Sequence, residues 1–459
     1  MTTAISIEVR NAYSGEVAGT VPDATVEEVD RAVGAAAAAA LADWPSHERY
    51  DVLMRAAALV DRHADDYAGT IAREGSKAIR EARREPPRAA NILRLSAEEG
   101  RRLAGETLPF DSRVGSENRA GYFFRVPLGV IAAITPFNDP LAIAAHKIGP
   151  ALAAGNAVVL KPASLTPLSA VRLAGHLREA GLPDGRLAVI TGRGSAIGDA
   201  LVSDRRVRMV AFTGGIETGE RITRLTGIKK LMMELGSNSP VIVNADADLA
   251  KAVPAIAAGA FAQAGQNCLG VQRVFGLQPV YERFRDAFVA HVRTLNAGAS
   301  TDDRTDVCPM ITEAQAARVE AWVEEARAGG ARVLAGGRRD RALVWPTVLE
   351  NVPAGARVDR QEVYGPVVSL CPVGTLDEAI ARANDVEYGI HAAIFTESLR
   401  DAFEAVRRLQ AGAVIVNDST DYRLDVMPFG GTKLSGIGRE GIRHSLLEMT
   451  EPRVVCLNL

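Results

Sequence analysis

From Gly129 onward the chain alternates short apolar runs with stretches of helical periodicity, and this pattern limits its folds more than any other feature of the sequence. The runs Val130 to Ile134, Ala157 to Leu160, Leu187 to Ile190 and Met209 to Phe212 are short enough to read as strands. Between them, the stretches near Leu141 to Ala153, Pro167 to Ala180 and Ala196 to Val202 carry helical spacing. Strands alternating with helices in this way predict βαβ units, and so a parallel sheet with right-handed crossovers. Ligands of such sheets are expected outside the carboxyl ends of the strands.

A second alternation begins after Gly236. Val241 to Val243, Gln272 to Phe275 and segments near Val333, Val367, Ala393 and Val414 read as strands. Helices are expected over Ala247 to Ala264, Val280 to Leu295, Glu313 to Ala328, Leu376 to Asn384 and Leu399 to Leu409. Since 459 residues exceed what one hydrophobic core usually supports, two α/β domains meeting near Gly236 are expected. Upstream, Thr25 ahead of Val26, Val29 and Val33 predicts a capped amphipathic helix, and a second helical block covers about His47 to Glu74. From Ser76 to Arg102 the pattern stays helical and strongly charged, with a break expected at Pro86-Pro87 and the charges read as solvated faces. Between Leu108 and Val126, segments such as Gly121 to Val126 read as strands outside the main core. The terminal run Pro452 to Leu459 is apolar and β-prone. An unpaired edge of that kind invites aggregation, so it is expected to pair with a strand of this chain or of another subunit.

Composition excludes more than it identifies. A formal net charge of -3 with 24% charged residues offers no polybasic surface for nucleic acid or a membrane. The opening residues Met1 to Arg10 lack a basic stretch followed by an apolar core, and the alanine run Ala35 to Ala40 is too short to span a bilayer, so a cytoplasmic protein is expected. The four cysteines, Cys268, Cys308, Cys371 and Cys456, include no C-x-x-C pair; free thiols and no metal site are expected.

A few segments carry candidate chemistry. Gln263-Ala264-Gly265-Gln266-Asn267-Cys268-Leu269-Gly270 presents one cysteine among small and amide residues, which taken alone reads more readily as an inert core residue than as a nucleophile. Thr191 to Gly198 and Phe212 to Gly219 are glycine turns between a strand and a helix, where backbone can approach a phosphate and the helix N-terminus favours an anion. The first is equally compatible with an ordinary tight turn. Lys161, ending its strand, would face the same edge of the sheet, and the three together favour a dinucleotide site. Glu234 sits in the apolar run Leu231 to Gly236, where burial would raise its pKa toward that of a general base unless an Arg or Lys pairs with it.

Glu234-Leu235-Gly236 followed by Gly265-Gln266-Asn267-Cys268, with Thr135-Pro136-Phe137-Asn138 upstream, resembles the aldehyde dehydrogenase superfamily. The resemblance covers nearly the whole chain, through Lys161-Pro162-Ala163-Ser164, Phe212-Thr213-Gly214, Glu362-Val363-Tyr364-Gly365-Pro366 and Pro428 to Gly436, all in the family's order. It implies an α/β fold with two parallel-sheet domains and a small β oligomerisation element. Residues 1–108 and 128–236 would bind the dinucleotide, 237–445 would be catalytic, and 109–127 with 446–459 would join subunits into a homodimer or homotetramer. It also implies an NAD(P)-dependent enzyme acting on a small aldehyde. Cys268 would be the nucleophile, Asn138 and the Cys268 N–H would hold the oxyanion, Glu234 would activate the hydrolytic water, and Lys147 would assist proton movement. Cofactor contacts are implied for Thr135, Pro136, Phe137, Lys161, Ser164, Gly194, Phe212, Thr213, Gly214, Gly215, Leu235, Gly236, Glu362 and Tyr364. Among these, Glu362 would hold the nicotinamide ribose, Tyr364 would lie near the ring, and Lys161 would bind the adenine ribose or its phosphate. Relatives that pass the acyl group to coenzyme A lack a glutamate where Glu234 stands, which favours hydrolysis.

The chain departs from the family pattern in its pockets. Many NAD-preferring relatives carry a glutamate at the position of Ser164; a serine beside Lys161 does not repel a 2′-phosphate, so NADP is expected to be accepted or preferred over NAD. Gly215 replaces a serine that commonly contacts the pyrophosphate. Asp139 and His146 stand where aromatic residues are usual, and the run Asn417 to Asp425 is uncommon. The set Asn138-Asp139-Pro140, His146 and Asp421-Tyr422-Arg423 resembles the branch containing phosphonoacetaldehyde and lactaldehyde dehydrogenases. A cationic His146 with Arg423, and Asp139 nearby, would suit a short aldehyde bearing a phosphonate, carboxylate or hydroxyl. Alternatively, Arg423 pairs with Asp421 or Asp425 and orders the loop. Arg273 reads as structural. Acyl transfer to coenzyme A and a non-catalytic binding role compete with the hydrolytic reading; Glu234 opposes the first, and Cys268, Glu234 and Asn138 together oppose the second.

Overall fold

The computed structural model describes residues 6–459, and the sequence reading of residues 1–5 lies outside them. Its first large sheet has six strands in the order Gly436–Ile437, Lys230–Glu234, Val207–Thr213, Val130–Ile134, Ala157–Lys161 and Leu187–Val189. All pairs are parallel except the one made by Gly436–Ile437. The expected strands and helices of this half are present, with bounds shifted by one or two residues. From the central strand Val130–Ile134 the chain moves outward on one side to Leu187–Val189, then crosses to place Val207–Thr213 on the other side. That reversal makes a topological switch point, and an open α/β sheet forms its ligand crevice outside the carboxyl ends of the strands there.

The second sheet has seven strands in the order Arg332–Ala335, Thr347–Glu350, Val367–Val373, Val271–Leu277, Ser239–Val243, His391–Phe395 and Ala413–Val416, parallel except for the first. Its central strands are buried along their whole length, which is why they read as unbroken apolar runs. Here the expectation about strand ends needs correction. Gly236, Cys268 and Glu362 precede the strands Ser239–Val243, Val271–Leu277 and Val367–Val373, yet they line one cavity with Thr135 and Gly214, which follow strands of the first sheet. The cleft lies between the carboxyl edge of one sheet and the amino edge of the other.

The N-terminal helices frame that cleft. Thr25 caps Val26–Leu41 and Glu28 reciprocates to the Thr25 backbone, a capping box whose cap residue contributes about 1 kcal/mol. The charged segment after Ser76 does not present solvated faces throughout. Pro86 and Pro87 fall in the first turn of Glu85–Arg101, where a missing N–H costs no helical bond, so the expected break is a helix start. This helix packs against Ser46–Arg62 and Ala142–Ala153, burying Ala89, Ala90, Ile92 and Leu93, and Lys77 and Glu85 are buried with them.

The terminal strand Thr450–Asn458 pairs antiparallel with Arg119–Pro127, which pairs in turn with Glu106–Thr107. Its partner is therefore in the same chain. The opposite edge of Thr450–Asn458 has no neighbouring strand among the described residues, and Val454 and Leu457 are exposed on it.

Candidate active site

The helix Leu249–Phe261 ends in three successive left-handed residues, Gln263 (φ +54°), Ala264 (φ +56°) and Gly265 (φ +69°). For the two non-glycine residues this conformation costs roughly 1–2 kcal/mol each. Contacts from distant segments hold it. The Glu81 carboxylate accepts the Gln263 N–H at 3.1 Å, and Gln263 Nε2 donates to Asp139 Oδ1 at 2.9 Å. A Cβ on Gly265 would stand 2.1 Å from the Gly365 carbonyl oxygen, so only glycine fits. The turn delivers Cys268 to the cleft just ahead of Val271–Leu277.

Cys268 stands where two cavities meet. The larger, of about 650 Å³, occupies the switch-point crevice. Thr135, Pro136 and Phe137 line it after one strand, and Phe212 and Thr213 at the end of another with Gly214 and Gly215 after it; Leu235, Gly236, Glu362 and Tyr364 close it from the second sheet's side. The smaller, of about 400 Å³, is lined by charged side chains. Asn138, Thr213, Glu234 and Cys268 belong to the walls of both.

Glu234 ends the strand Lys230–Glu234 and is 2% exposed. Burial, reinforced by the nearby Glu440 charge, raises its pKa to about 8. Glu440 itself is held down at about 2, because Lys147 at 2.9 Å and Arg423 outweigh the effect of burial. Burial and the adjacent Glu234 push the Cys268 thiol well above its ordinary range; the thiol lies 3.8 Å from Asn267 Oδ1, and Glu234 Oε1 is buried without a partner among the described residues. A cysteine and a buried carboxyl group thus stand together beside Asn138, whose Oδ1 is buried without a partner among the described residues.

In the larger cavity Glu362 accepts the Ser237 N–H at 2.8 Å, and burial raises its pKa to about 7. A Cβ on Gly236 would come within 2.7 Å of the Glu362 carboxylate, and Phe137 meets Tyr364 edge to face at 5.8 Å. The Thr135 and Thr213 hydroxyls are buried and unpartnered. Lys161, Ser164 and Gly194 do not line this cavity. Lys161 is buried, its pKa lowered to about 8 by burial, and its ammonium reaches only the Pro162 carbonyl at 3.2 Å. A Cβ on Gly194 would lie 3.9 Å from Lys161 Cε. The Ser164 hydroxyl donates to the Gly192 carbonyl at 2.8 Å. An ammonium without a carboxylate, beside a glycine turn that opens the helix Gly194–Ser203, suits an anionic or hydroxyl-rich group, and the unpartnered threonines suit a polar one.

The smaller cavity corrects the reading of its residues. His146 is 2% exposed, does not line the cavity, and bonds through Nε2 to Asp425 at 2.8 Å. Burial and the nearby Arg423 lower its pKa to about 4, so it is a neutral ring at neutral pH and not a cationic substrate ligand. Asp139 lines the cavity but is engaged by Lys77 and Gln263. Lys147 is fully buried against Glu440 and touches neither cavity. Arg423 does line it; its guanidinium lies 3.6 Å from the Phe429 ring centroid and 3.5 Å from Glu440, not on Asp421 or Asp425. Arg273 donates to Asn238 and to the carbonyls of Arg382 and Ala383, as a structural residue. The sequence reading missed Lys77, Glu81, Arg84, Glu85 and Arg88, all on the cavity wall. Their one local signal was the Pro-Pro helix start after Glu85, which sets them at a helix entrance.

The aldehyde dehydrogenase family model matches residues 2–455. The chain is 49% identical to aspartate-semialdehyde dehydrogenase 1 of Pseudomonas canavaninivorans, over 99% of this chain and 97% of that one. It is 46% identical to a 3-sulfolactaldehyde dehydrogenase of Priestia aryabhattai, over 100% and 96%. The structure superposes with a TM-score of 0.96 on glyceraldehyde-3-phosphate dehydrogenase GapN of Methanocaldococcus jannaschii complexed with NADP, at 36% identity and 100% coverage of both chains. With its cysteine and glutamate meeting between two α/β sheets, and with similarity running along its length, the chain belongs to the aldehyde dehydrogenase family.

Proposed function

We propose that the protein oxidises a short polar or anionic aldehyde, bearing a phosphonate, carboxylate or hydroxyl, to the carboxylic acid, with reduction of NADP or NAD. The observation that carries this reading is the shared wall. Cys268, Glu234 and Asn138 separate a glycine-lined crevice at the switch point from a small charged cavity, so a cofactor and an aldehyde can approach one sulfur from two chambers. The relatives act, by their names, on aspartate semialdehyde and 3-sulfolactaldehyde, both short aldehydes with an acid group.

In this reading the Cys268 thiol gives its proton to Glu234 as sulfur bonds to the aldehyde carbon. The Asn138 amide and the Cys268 N–H hold the oxyanion, a donor of that kind contributing roughly 2.7–4 kcal/mol. NADP or NAD, when bound, supplies the hydride acceptor. Glu362, Tyr364 and Phe137 would hold its nicotinamide end, Gly214 and Gly215 its pyrophosphate, and Lys161 its adenine ribose or 2′-phosphate. After its first proton has passed to solvent, Glu234 takes a proton from the water that attacks the Cys268 thioester, and returns it to the departing Cys268 sulfur as the carboxylic acid leaves. Residues 1–108 and 128–236 would form the cofactor domain and 237–445 the catalytic domain. The three-stranded sheet would join subunits into a homodimer or homotetramer in the cytoplasm.

Two variants test this sequence of steps. Cys268→Ala is expected to abolish reduction of either cofactor while cofactor binding, followed by fluorescence titration, persists. Glu234→Gln is expected to give at most one equivalent of reduced cofactor per site and then stall with an acylated enzyme detectable by mass. Turnover by Cys268→Ala would overturn the covalent mechanism, and equal steady rates for Glu234→Gln would overturn hydrolysis by Glu234. Run with both cofactors, the same assay tests acceptance of NADP, which strict use of NAD would refute.

A further inference from the structure

The charged cavity beside Cys268 is not a simple anion receptor. Lys77 is neutralised by Glu85 at 3.0 Å and by Asp139. Arg88 donates to Asp425 at 3.0 and 2.9 Å, and Arg423 lies 3.5 Å from Glu440. What remains on the wall is of both signs. Among the described residues, Arg84 has no carboxylate within ion-pair distance, and neither Glu81 nor Asp421 has a cation. Buried atoms of the same wall also lack partners among the described residues: Nε of Arg423, whose side chain is 10% exposed, as a donor, the Thr213 hydroxyl, and Asn138 Oδ1, Glu234 Oε1 and Gln263 Oε1 as acceptors.

On the reading that this cavity receives the aldehyde, we propose that the substrate is a short zwitterion. It would carry an ammonium received by Asp421 and a carboxylate received by Arg84 and the free Nε–H of Arg423. A purely anionic aldehyde would leave Asp421, which has no cation within ion-pair distance among the described residues, as an uncompensated like charge on the wall. A purely cationic one would leave the buried Arg423 Nε–H unpaired. Sites whose buried polar groups need a substrate group to complete them reject analogues that lack it. Burial already raises the Asp421 pKa, so a bound ammonium also relieves a carboxylate that the folded protein leaves without a cation.

The test compares three aldehydes on the full-length enzyme near pH 7.5, following reduced cofactor by absorbance. Aspartate 4-semialdehyde carries both groups, succinic semialdehyde lacks the ammonium on the same carbon skeleton, and 3-aminopropanal lacks the carboxylate. We expect kcat/KM for the zwitterion to exceed each of the others by at least about tenfold, a factor equivalent to 1.4 kcal/mol. Asp421→Asn should raise KM for aspartate 4-semialdehyde and lower it for succinic semialdehyde; opposite signs are not the result of a general structural defect. Equal or better use of succinic semialdehyde by the unmodified enzyme, or KM shifts of the same sign in the variant, would overturn the zwitterion. Absence of reduced cofactor with any aldehyde would instead overturn the dehydrogenase reading on which it rests.

Discussion

Glu234 shows how far a single residue's chemistry depends on groups outside its own segment. Its place in an apolar run pointed to burial, but the second contribution to its raised pKa is the charge of Glu440, which the sequence places 206 residues further on. Because the proposed hydrolysis needs the Glu234 carboxylate, that mechanism predicts a kcat that rises with pH through a limb near pH 8 where deacylation limits turnover. Glu440→Gln removes a negative charge and leaves Lys147 and Arg423 uncompensated, both of which lower the proton affinity of Glu234. The limb should therefore move to lower pH, and a kcat–pH profile with an unmoved limb would contradict this assignment. Cys268, Asn138 and Glu234 were singled out through the family resemblance of their motifs, and the structure brings all three to the wall between the two cavities. The state of His146 was not, because its partner Asp425 lies 279 positions away and no local pattern announces that contact.

Among the elements, the helix Glu85–Arg101 does most to shape the cleft. Glu85 accepts the backbone N–H groups of Leu141 and Ala142 at 2.8 and 2.9 Å, at the start of Ala142–Ala153, while pairing with Lys77. It thereby ties the entrance of one helix to the segment that carries Asn138. Removing one member of a buried pair leaves the other charge short of compensation, which costs about 3–5 kcal/mol. Glu85→Ala is accordingly expected to lower the urea midpoint of unfolding by an amount corresponding to about 3 kcal/mol or more. A variant with unchanged midpoint would show that Lys77 is fully satisfied by Asp139. Strands and helices after Gly129 were legible because their periods differ and their buried faces repeat. The charged N-terminal helices were misread because charge along a helix marks a solvated face only when no other element covers it, and here Ala142–Ala153 does.

For the molecule as a whole, the exposed edge Thr450–Asn458 is the feature that a lone subunit leaves unfinished. Val454 and Leu457 are 59% and 47% exposed; Leu457 shares its face of the sheet with the exposed Tyr122 and Phe124, and Val454 lies on the other face opposite Phe123. If this sheet joins subunits, sedimentation of the unmodified protein should give a dimer or tetramer, and Val454→Lys should shift it toward the monomer; an already monomeric protein would refute the role of this edge. The sequence by itself determined the alternation of strands and helices that builds two mostly parallel sheets and, through the family resemblance, the candidate nucleophile and base. The alternation follows from local periodicity and turn chemistry, which act over short stretches of chain. Only the tertiary structure decided that the second sheet offers its amino edge to the cleft, that His146 is neutral, and that Arg423 lies over Phe429 against Glu440. Ionisation and pairing in a buried pocket depend on distance and desolvation among residues far apart in sequence, and those quantities exist only once the chain has folded.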